Sequence, residues 1–259
     1  FNGPEYVLYD PWLTEPTRAD TTPPGVEITA PEDGSYVRSV VTIRAEASDD
    51  VAVDRVEFYI NDTLAYTDYD APYTYEWNTV SWPDGVYVIR LEVEDLVGNL
   101  LIVEIETTVD NTAPNAAIVS PVNNSYIHGI VKVSVMGDDV NFGIMKLYIN
   151  GTLVISWNSS GTHTYDWDTS KWSDGLYEIM LVVIDKAGNT YETSAHVMVD
   201  NTLPEANIIE PAEDSALCGI VDITIEGQDV HLSSLELYVD EQLVTTWNAS
   251  GTYTYEWNT

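Results

Sequence analysis

The sequence contains a single cysteine, Cys218, among 259 residues. One cysteine cannot form a disulfide bond within the chain, so no disulfide framework holds this fold together. Cysteine and histidine also do not occur at the spacing of a zinc-binding motif. Hydrophobic residues make up 44% of the chain, which is enough to form buried cores without covalent cross-links.

Basic residues are also scarce, with 9 lysines and arginines against 43 aspartates and glutamates. The resulting net charge of −34 would repel nucleic acid and anionic membrane surfaces, so neither is expected as a partner. No apolar run approaches the roughly 18 residues of a membrane-spanning helix, and we expect no membrane insertion in this segment. The carboxylates instead favour contact with water and with divalent cations.

What the chain does contain is a repeat of 90 residues. The segment YEWNT at 75–79 returns in related form at 165–169 and at 255–259. A proline-containing phrase at 20–24 returns with the same offset. Because a repeat of this length is a domain, the period predicts four parts. They are an N-terminal extension at 1–19, two complete domains at 20–109 and 110–199, and an incomplete third domain at 200–259.

Apolar residues inside the first repeat alternate with a period of two, which is typical of half-buried β-strands. Turn residues such as Pro83-Asp84-Gly85 separate the alternating runs. About seven strands are predicted, near 26–29, 41–47, 56–60, 64–67, 73–77, 87–93 and 101–105. This number of strands in one repeat predicts an all-β fold of tandem immunoglobulin-like antiparallel β-sandwiches.

Six phrases of the first repeat resemble immunoglobulin-like modules that occur in tandem on bacterial and archaeal surface and secreted proteins. In order they are VEITAP at 26–31, ASDD at 47–50, VDRVEFY at 53–59, APYTYEW at 71–77, DGVY at 84–87 and DLVGN at 95–99. The resemblance covers 20–259. It implies sandwich domains used as stalks, spacers, adhesive arrays or additions to secreted enzymes, and it implies no catalytic residue.

The third repeat stops before the counterpart of residues 80–109, so it lacks its last two strands. One of them is expected inside a sheet, beside the strand that carries Leu235 and Leu237. Without it, an apolar face and a sheet edge would be uncovered. Either the native chain continues, or a neighbouring copy donates a strand and forms a head-to-tail homopolymer. The candidate donor strand consists of Tyr6, Val7, Leu8 and Tyr9.

The histidines do not indicate an active site. They occur at His128, His163, His196 and His231, which are unrelated positions of the repeat. A repeated active site would recur with the period, and no nucleophile is placed convincingly beside a base. We therefore predict that the chain is not an enzyme and has no cofactor other than a calcium ion.

Aspartates are expected to gather where consecutive repeats meet. Several carboxylate oxygens at such a joint fit a hard cation, so the sequence predicts calcium sites that would stiffen the joints. The first joint has Asp84, Asp110, Asp138, Asp139 and Asp185, and the second has Asp174, Asp200 and Asp229. The alternative is that these residues are ordinary acidic turns that contact only water.

Five Asn-X-Ser/Thr sequons lie in predicted loops or at strand ends. In a secreted archaeal or eukaryotic protein such asparagines are glycan acceptors, whereas in other proteins they are ordinary turn residues. The candidate acceptors are Asn61, Asn123, Asn150, Asn158 and Asn248.

Two hypotheses of function follow. The first is an extracellular structural protein on the cell surface, as the subunit of a filament, a stalk or a surface layer. The second is an array of carbohydrate-binding or adhesive modules, accessory to a secreted enzyme. Trp82 and Trp172 lie in turns and would stack on sugars under the second hypothesis, although packing over the end of the sandwich is the favoured role for both.

Overall fold

The computed structural model describes residues 20–259 of the chain. In this part the regular elements are β-strands, apart from two short 3₁₀ turns at Thr79–Ser81 and Thr169–Lys171. Neither turn is long or apolar enough to cross a membrane as a helix. The predicted all-β fold is confirmed. The candidate donor strand Tyr6–Tyr9 lies outside the described residues.

The first sandwich contains eight strands. They are β1 Gly25–Ala30, β2 Ser35–Val37, β3 Val40–Ser48, β4 Val53–Ile60, β5 Thr63–Asp68, β6 Tyr73–Asn78, β7 Gly85–Asp95 and β8 Leu100–Val109. One sheet has the strand order β1-β3-β6, and the facing sheet has the order β2-β8-β7-β4-β5.

The second sandwich repeats this plan. Its strands are β9 Asn115–Ser120, β10 Ser125–Ile127, β11 Ile130–Asp138, β12 Phe142–Ile149, β13 Thr152–Trp157, β14 Gly161–Asp168, β15 Gly175–Asp185 and β16 Thr190–Val199. The two sheets have the orders β14-β11-β9 and β10-β16-β15-β12-β13. Both sandwiches therefore have the same topology, as the 90-residue repeat predicts.

Each of these sandwiches contains one strand that the alternation of apolar residues does not predict. Strands β2 and β10 have three residues each and pair in parallel with β8 and β16. Three residues are too few to show a period of two, so no sequence signal marks them. The two parallel pairs are exceptions to the predicted antiparallel sheets, and they occur where the chain crosses from the three-stranded to the five-stranded sheet.

The core of each of these two sandwiches contains one fully buried tryptophan. Trp77 on β6 and Trp167 on β14 each expose 1% of their surface. The ring of Trp77 makes T-shaped contacts with Trp82 and Tyr87, at 5.6 Å between ring centroids in both cases. The YEWNT segment is therefore a core strand, because its tryptophan faces inward between the two sheets.

The middle strand of the five-stranded sheet contributes most to each core. Strand β7 pairs with β4 on one side and with β8 on the other, so both of its edges are hydrogen-bonded. Alternate residues of this strand and of β15 have no exposed surface, namely Ile89, Leu91, Val93, Ile179, Leu181 and Val183. The alternation predicted for these strands is confirmed, and the buried residues face the opposite sheet.

The third sandwich has five strands in the described chain. They are β17 Glu205–Glu210, β18 Ile220–Gln228, β19 Leu235–Val239, β20 Gln242–Trp247 and β21 Gly251–Asn258. One sheet has the order β17-β18-β21, and the other consists of β19 and β20 alone. In the 90-residue frame, the counterparts of β15 and β16 fall after Thr259, so the described chain contains neither of them.

The smaller number of strands leaves the third core thin. Its buried cluster consists of Ile223, Ile225, Leu235 and Leu237. Trp257, the counterpart of Trp77 and Trp167, is only half-buried and packs at the margin of this cluster. Among the described residues, no strand covers the edge of β19 that corresponds to the β15 side of β12.

The described chain divides into two compact units. The first contains residues 20–114 together with Asp139–Gly143 and Ile184–Thr190. The second contains Asn115–Asp138, Ile144–Val183 and Tyr191–Thr259. The two loops of the second repeat that join the first unit carry aspartates that were expected to bind calcium.

We expect Trp167→Ala to lower the free energy of unfolding of the second sandwich by about 3–5 kcal/mol, because it removes buried apolar contacts and leaves a cavity. The same change at the half-buried Trp257 should cost less than half as much. Urea denaturation followed by circular dichroism, with calorimetry to separate the transitions, measures both. Equal losses at the two positions would contradict the incomplete third core.

Candidate functional site

Each of the three repeats contains a cluster of side chains that could hold a metal ion. In each cluster, the potential ligand atoms lie within 4.8 Å of one another. The clusters are Asp20 with Asp49 and Asp95, Asp110 with Asp139 and Asp185, and Asp200 with Asp229 and His231. The aspartates of the first two clusters correspond at an offset of 90 residues, whereas the third cluster shares only Asp200 and Asp229 with this pattern.

In the first cluster, Asp95 is the most buried carboxylate, with 2% of its surface exposed. Its Oδ1 accepts hydrogen bonds from the backbone N–H groups of Val97, Gly98 and Asn99, and its Oδ2 accepts one from Asn99 Nδ2 at 2.6 Å. Burial raises the pKa of Asp95, but the Asn99 side chain and the three backbone donors together hold it below its ordinary value. Asp95 is therefore negatively charged at neutral pH.

The other two carboxylates of the first cluster have unsatisfied oxygens. Asp20 Oδ2 and Asp49 Oδ1 are buried atoms, and neither has a hydrogen-bond partner among the residues that the structure describes. A buried carboxylate oxygen without a partner is costly in free energy unless a cation or a water molecule contacts it. These two oxygens are what a cation bound beside Asp95 would contact.

The second cluster is held together by two asparagines. Asn141 Nδ2 donates a hydrogen bond to Asp110 Oδ2 at 2.8 Å. Asn189 Nδ2 donates to Asp185 Oδ2 at 2.7 Å and to the backbone carbonyl oxygen of Asp110 at 2.9 Å. Asp110 and Asp185 expose only 2% and 4% of their surface. The two carboxylates are thus fixed in position by neutral donors rather than by a lysine or an arginine.

The third cluster has a histidine as its third member, at the repeat position of Asn141. His231 Nδ1 lies 2.9 Å from Asp200 Oδ2, and the His231 backbone N–H donates to Asp229 Oδ1 at 2.6 Å. The His231 ring also packs against Tyr126, with 5.0 Å between the ring centroids. This cluster therefore offers two carboxylates and an imidazole, whereas the first two offer three carboxylates each.

The sequence of the chain matches one protein-family model three times, at residues 24–91, 114–180 and 204–259. That family is described as a bacterial Ig domain, and the three matches span most of the chain. The chain belongs to the bacterial Ig domain family. A search of curated proteins finds no match.

Solved structures share this Ig-like fold. Fibronectin(III)-like modules of Clostridium thermocellum CbhA are 21% identical, with a TM-score of 0.50 over 68% of this chain and 95% of theirs. An endo-β-1,4-mannanase from Thermotoga petrophila is 20% identical, with a TM-score of 0.31 over 36% of this chain and 21% of its own. SGBP-B of Bacteroides ovatus, solved with a mixed-linkage heptasaccharide, is 18% identical, with a TM-score of 0.28 over 92% of this chain and 61% of its own. Of these three, the similarity to the CbhA modules, with its TM-score of 0.50, shows the fold alone.

Within these bacterial Ig domains, three of the aspartates expected at the joints lie outside the clusters. Asp84 accepts hydrogen bonds from the Asn111 backbone N–H and the Thr112 hydroxyl, and Asp174 does the same one repeat later. For Asp174 the backbone N–H of Asn201 contributes most to holding its pKa below the ordinary value. These two carboxylates fix the segment that starts the next repeat.

Asp138 is the third aspartate outside the clusters. It is exposed at the end of β11, where it pairs with Asn115 of β9. The structure therefore brings together Asp110, Asp139 and Asp185 from the first joint, and Asp200 and Asp229 from the second. The adjacent residues Asp138 and Asp139 thus give a matched pair for experiments, one outside and one inside a cluster.

Two features of the clusters were missed from the sequence. Asp20, Asp49 and Asp95 form a cluster in the first repeat, although no repeat of the described chain precedes it. Shifting Asp110, Asp139 and Asp185 by 90 positions would have identified all three. His231 was dismissed because no other histidine shares its repeat position, yet it is aligned with Asn141, which contacts the equivalent carboxylate.

The turn tryptophans and the sequon asparagines have defined surroundings. Trp82 and Trp172 are half-buried, and each packs edge-on against the core tryptophan and a tyrosine of its sandwich. All five sequon asparagines are exposed. The Oδ1 atoms of Asn61, Asn123 and Asn150 each accept a hydrogen bond from a backbone N–H of a neighbouring strand. Those three side chains therefore stabilise turns.

Proposed function

We propose that this chain is an extracellular structural element without catalytic activity, acting as a stalk, a filament subunit or part of a surface layer. Three bacterial Ig domains in series support this role, since they provide serial folded units. The observation that carries the proposal furthest is the third sandwich. Among the described residues its second sheet consists of β19 and β20 alone, so a further strand can pair with β19.

The open sheet is suited to strand addition. Strand β12 lies between β13 and β15, whereas its counterpart β19 pairs only with β20. The other edge of β19 therefore presents backbone N–H and C=O groups that a further strand would pair with. Leu235 and Leu237 lie on this strand and belong to the thin third core, so an added strand would also complete the apolar packing.

Two sources of the missing strands correspond to two forms of the same role. Residues that follow Thr259 in a longer chain would complete the domain within a stalk. Tyr6–Tyr9 of a neighbouring copy would instead make a head-to-tail contact, which does not close on itself and so produces a filament. The polymer test below separates these two forms.

We expect the purified chain to form end-to-end polymers that are lost when residues 1–12 are deleted or when Val7 and Leu8 are both changed to aspartate. A charged donor strand cannot enter the apolar space beside β19. Negative-stain electron microscopy and analytical ultracentrifugation measure the polymers, and Thr17→Asp is the control. Polymers that persist in both variants would contradict donation by the N-terminal segment, and a chain that forms no polymers would favour completion by residues that follow Thr259.

Calcium binding at the three-aspartate clusters forms part of this proposal. Three carboxylates within 4.8 Å of one another, two of them with buried unpaired oxygens in the first repeat, suit a hard cation with oxygen ligands. In the first repeat, a bound ion would connect the segment before β1 to the ends of β3 and β7. In the second repeat, it would connect the segment before β9 to the ends of β11 and β15. Asp20, Asp49 and Asp95 would hold the first ion, and Asp110, Asp139 and Asp185 the second.

For the chelator-treated chain, we expect calcium to raise the unfolding temperature, because an ion that binds only the folded state adds about 2.7 kcal/mol at a concentration of 100 Kd. Asp139→Asn should weaken calcium binding at the second cluster at least tenfold. Asp138→Asn, one residue away and exposed, should leave it unchanged. Calorimetric titration measures both variants, and equal effects of the two substitutions would contradict a site at the cluster.

Glycosylation is a further property that we propose for this extracellular role. Glycans on Asn61, Asn123, Asn150, Asn158 and Asn248 would cover exposed turns, and the intact mass of protein from its native source measures their occupancy. A carbohydrate-binding array is the second candidate function. The edge-on packing of Trp82 and Trp172 gives these rings a structural role. The second candidate would be favoured if the chain binds a glycan array and Trp82→Ala abolishes that binding.

A further inference from the structure

His231 occupies a position that has a defined contact in the preceding repeat. Asn141, 90 residues earlier, donates from Nδ2 to Asp110 Oδ2 at 2.8 Å. His231 places Nδ1 at 2.9 Å from Asp200 Oδ2, the equivalent carboxylate. The Asn141 amide and the His231 imidazole thus each place a nitrogen within hydrogen-bond distance of the equivalent carboxylate oxygen of its own repeat. They differ in the donor atom that each offers to a metal ion, which is an amide oxygen for asparagine and a nitrogen for histidine.

The imidazole is held in place by three contacts. The Nδ1 atom of His231 lies beside Asp200, and the ring packs against Tyr126. The backbone N–H of His231 donates a hydrogen bond to Asp229 Oδ1. These contacts keep the nitrogen within 4.8 Å of carboxylate oxygens of both aspartates. A metal site with its ligands already oriented needs little rearrangement to bind an ion.

The cluster lines a cavity of about 990 Å³ to which Asp200, Asp229 and His231 all contribute. The lining residues include a second histidine, His128, but no lysine or arginine that would compete with a metal ion for the two carboxylates. The side chains of His231 and Asp200 are 25% and 18% exposed. The donor atoms of His231 and Asp200 are therefore accessible to an ion from solvent.

The donor set determines which ion fits. Calcium prefers six to eight oxygen ligands, whereas zinc combines imidazole nitrogen with carboxylate oxygen at low coordination number and accepts water as a further ligand. We propose that Asp200, Asp229 and His231 bind a divalent transition-metal ion of the zinc class. His231 makes this cluster chemically different from the two all-carboxylate clusters. The site is independent of the structural role proposed above, and either can fail without the other.

In the simpler alternative, His231 only donates a hydrogen bond to Asp200, as Asn141 does to Asp110. The substitution His231→Asn separates the two explanations, because it keeps an amide donor where the preceding repeat has one. The fold should tolerate it, and circular dichroism checks that it does. Loss of metal binding with the fold intact would then be specific to the imidazole nitrogen.

The test is a calorimetric titration of the chelator-treated chain with zinc, in the presence of calcium. We expect His231→Asn to weaken the tightest zinc site at least tenfold, and His163→Asn, which alters a histidine outside the cluster, to leave it unchanged. Nitrogen-15 NMR of the histidine rings should show zinc shifting the His231 ring nitrogens first. Zinc affinity that is the same in the wild type and in His231→Asn, or ring shifts that begin at another histidine, would overturn the proposal.

A second variant tests the same chemistry in the opposite direction. Asn141→His gives the second cluster an imidazole at the position equivalent to His231. We expect this variant to bind one more zinc ion than the wild type, with a shift of the new ring nitrogens in the NMR spectrum. No additional zinc binding by a folded Asn141→His variant would contradict the role assigned to the imidazole.

Discussion

The structure depends on pairing both edges of one strand, the middle strand of each five-stranded sheet. In the first sandwich β7 is hydrogen-bonded to β4 and to β8, and its alternate residues Ile89, Leu91 and Val93 are fully buried. Strand β15 has the same place in the second sandwich. Since one face of this strand is entirely inside the core, the strand cannot be removed without exposing the opposite sheet.

The same strand also supplies part of the candidate metal site. Asp95 is the last residue of β7, and Asp185 is the last residue of β15. The strand that completes the core therefore also carries one carboxylate of the cluster. Asp95 lies beside Asp20 and Asp49, and Asp185 lies beside Asp110 and Asp139. In the third repeat the described chain has neither the strand nor the carboxylate, and the cluster there has His231 as its third member.

The sequence predicts most of the fold because a pleated strand places every second side chain on one face. This alternation identified β3, β4, β6 and β7 and the inward direction of Trp77, and the 90-residue period extended the result to the other repeats. The three-residue strands β2 and β10 were missed because they are shorter than the pattern. The clusters could be predicted only in part. Loops at one end of a sandwich converge, which groups Asp110 with Asp139 and Asp185, but no pattern shows that Asp84 turns toward the Thr112 hydroxyl instead.

The central claim is that, among the described residues, β19 of the third sandwich has an unpaired edge to which a further strand can add. Amide hydrogen exchange of the monomeric chain, compared between β12 and its counterpart β19, tests this most directly. Amides of β12 that face β15 should be strongly protected, whereas the matching amides of β19 should exchange quickly, because they have no partner strand. Protection of β19 equal to that of β12 in the monomer would contradict the account.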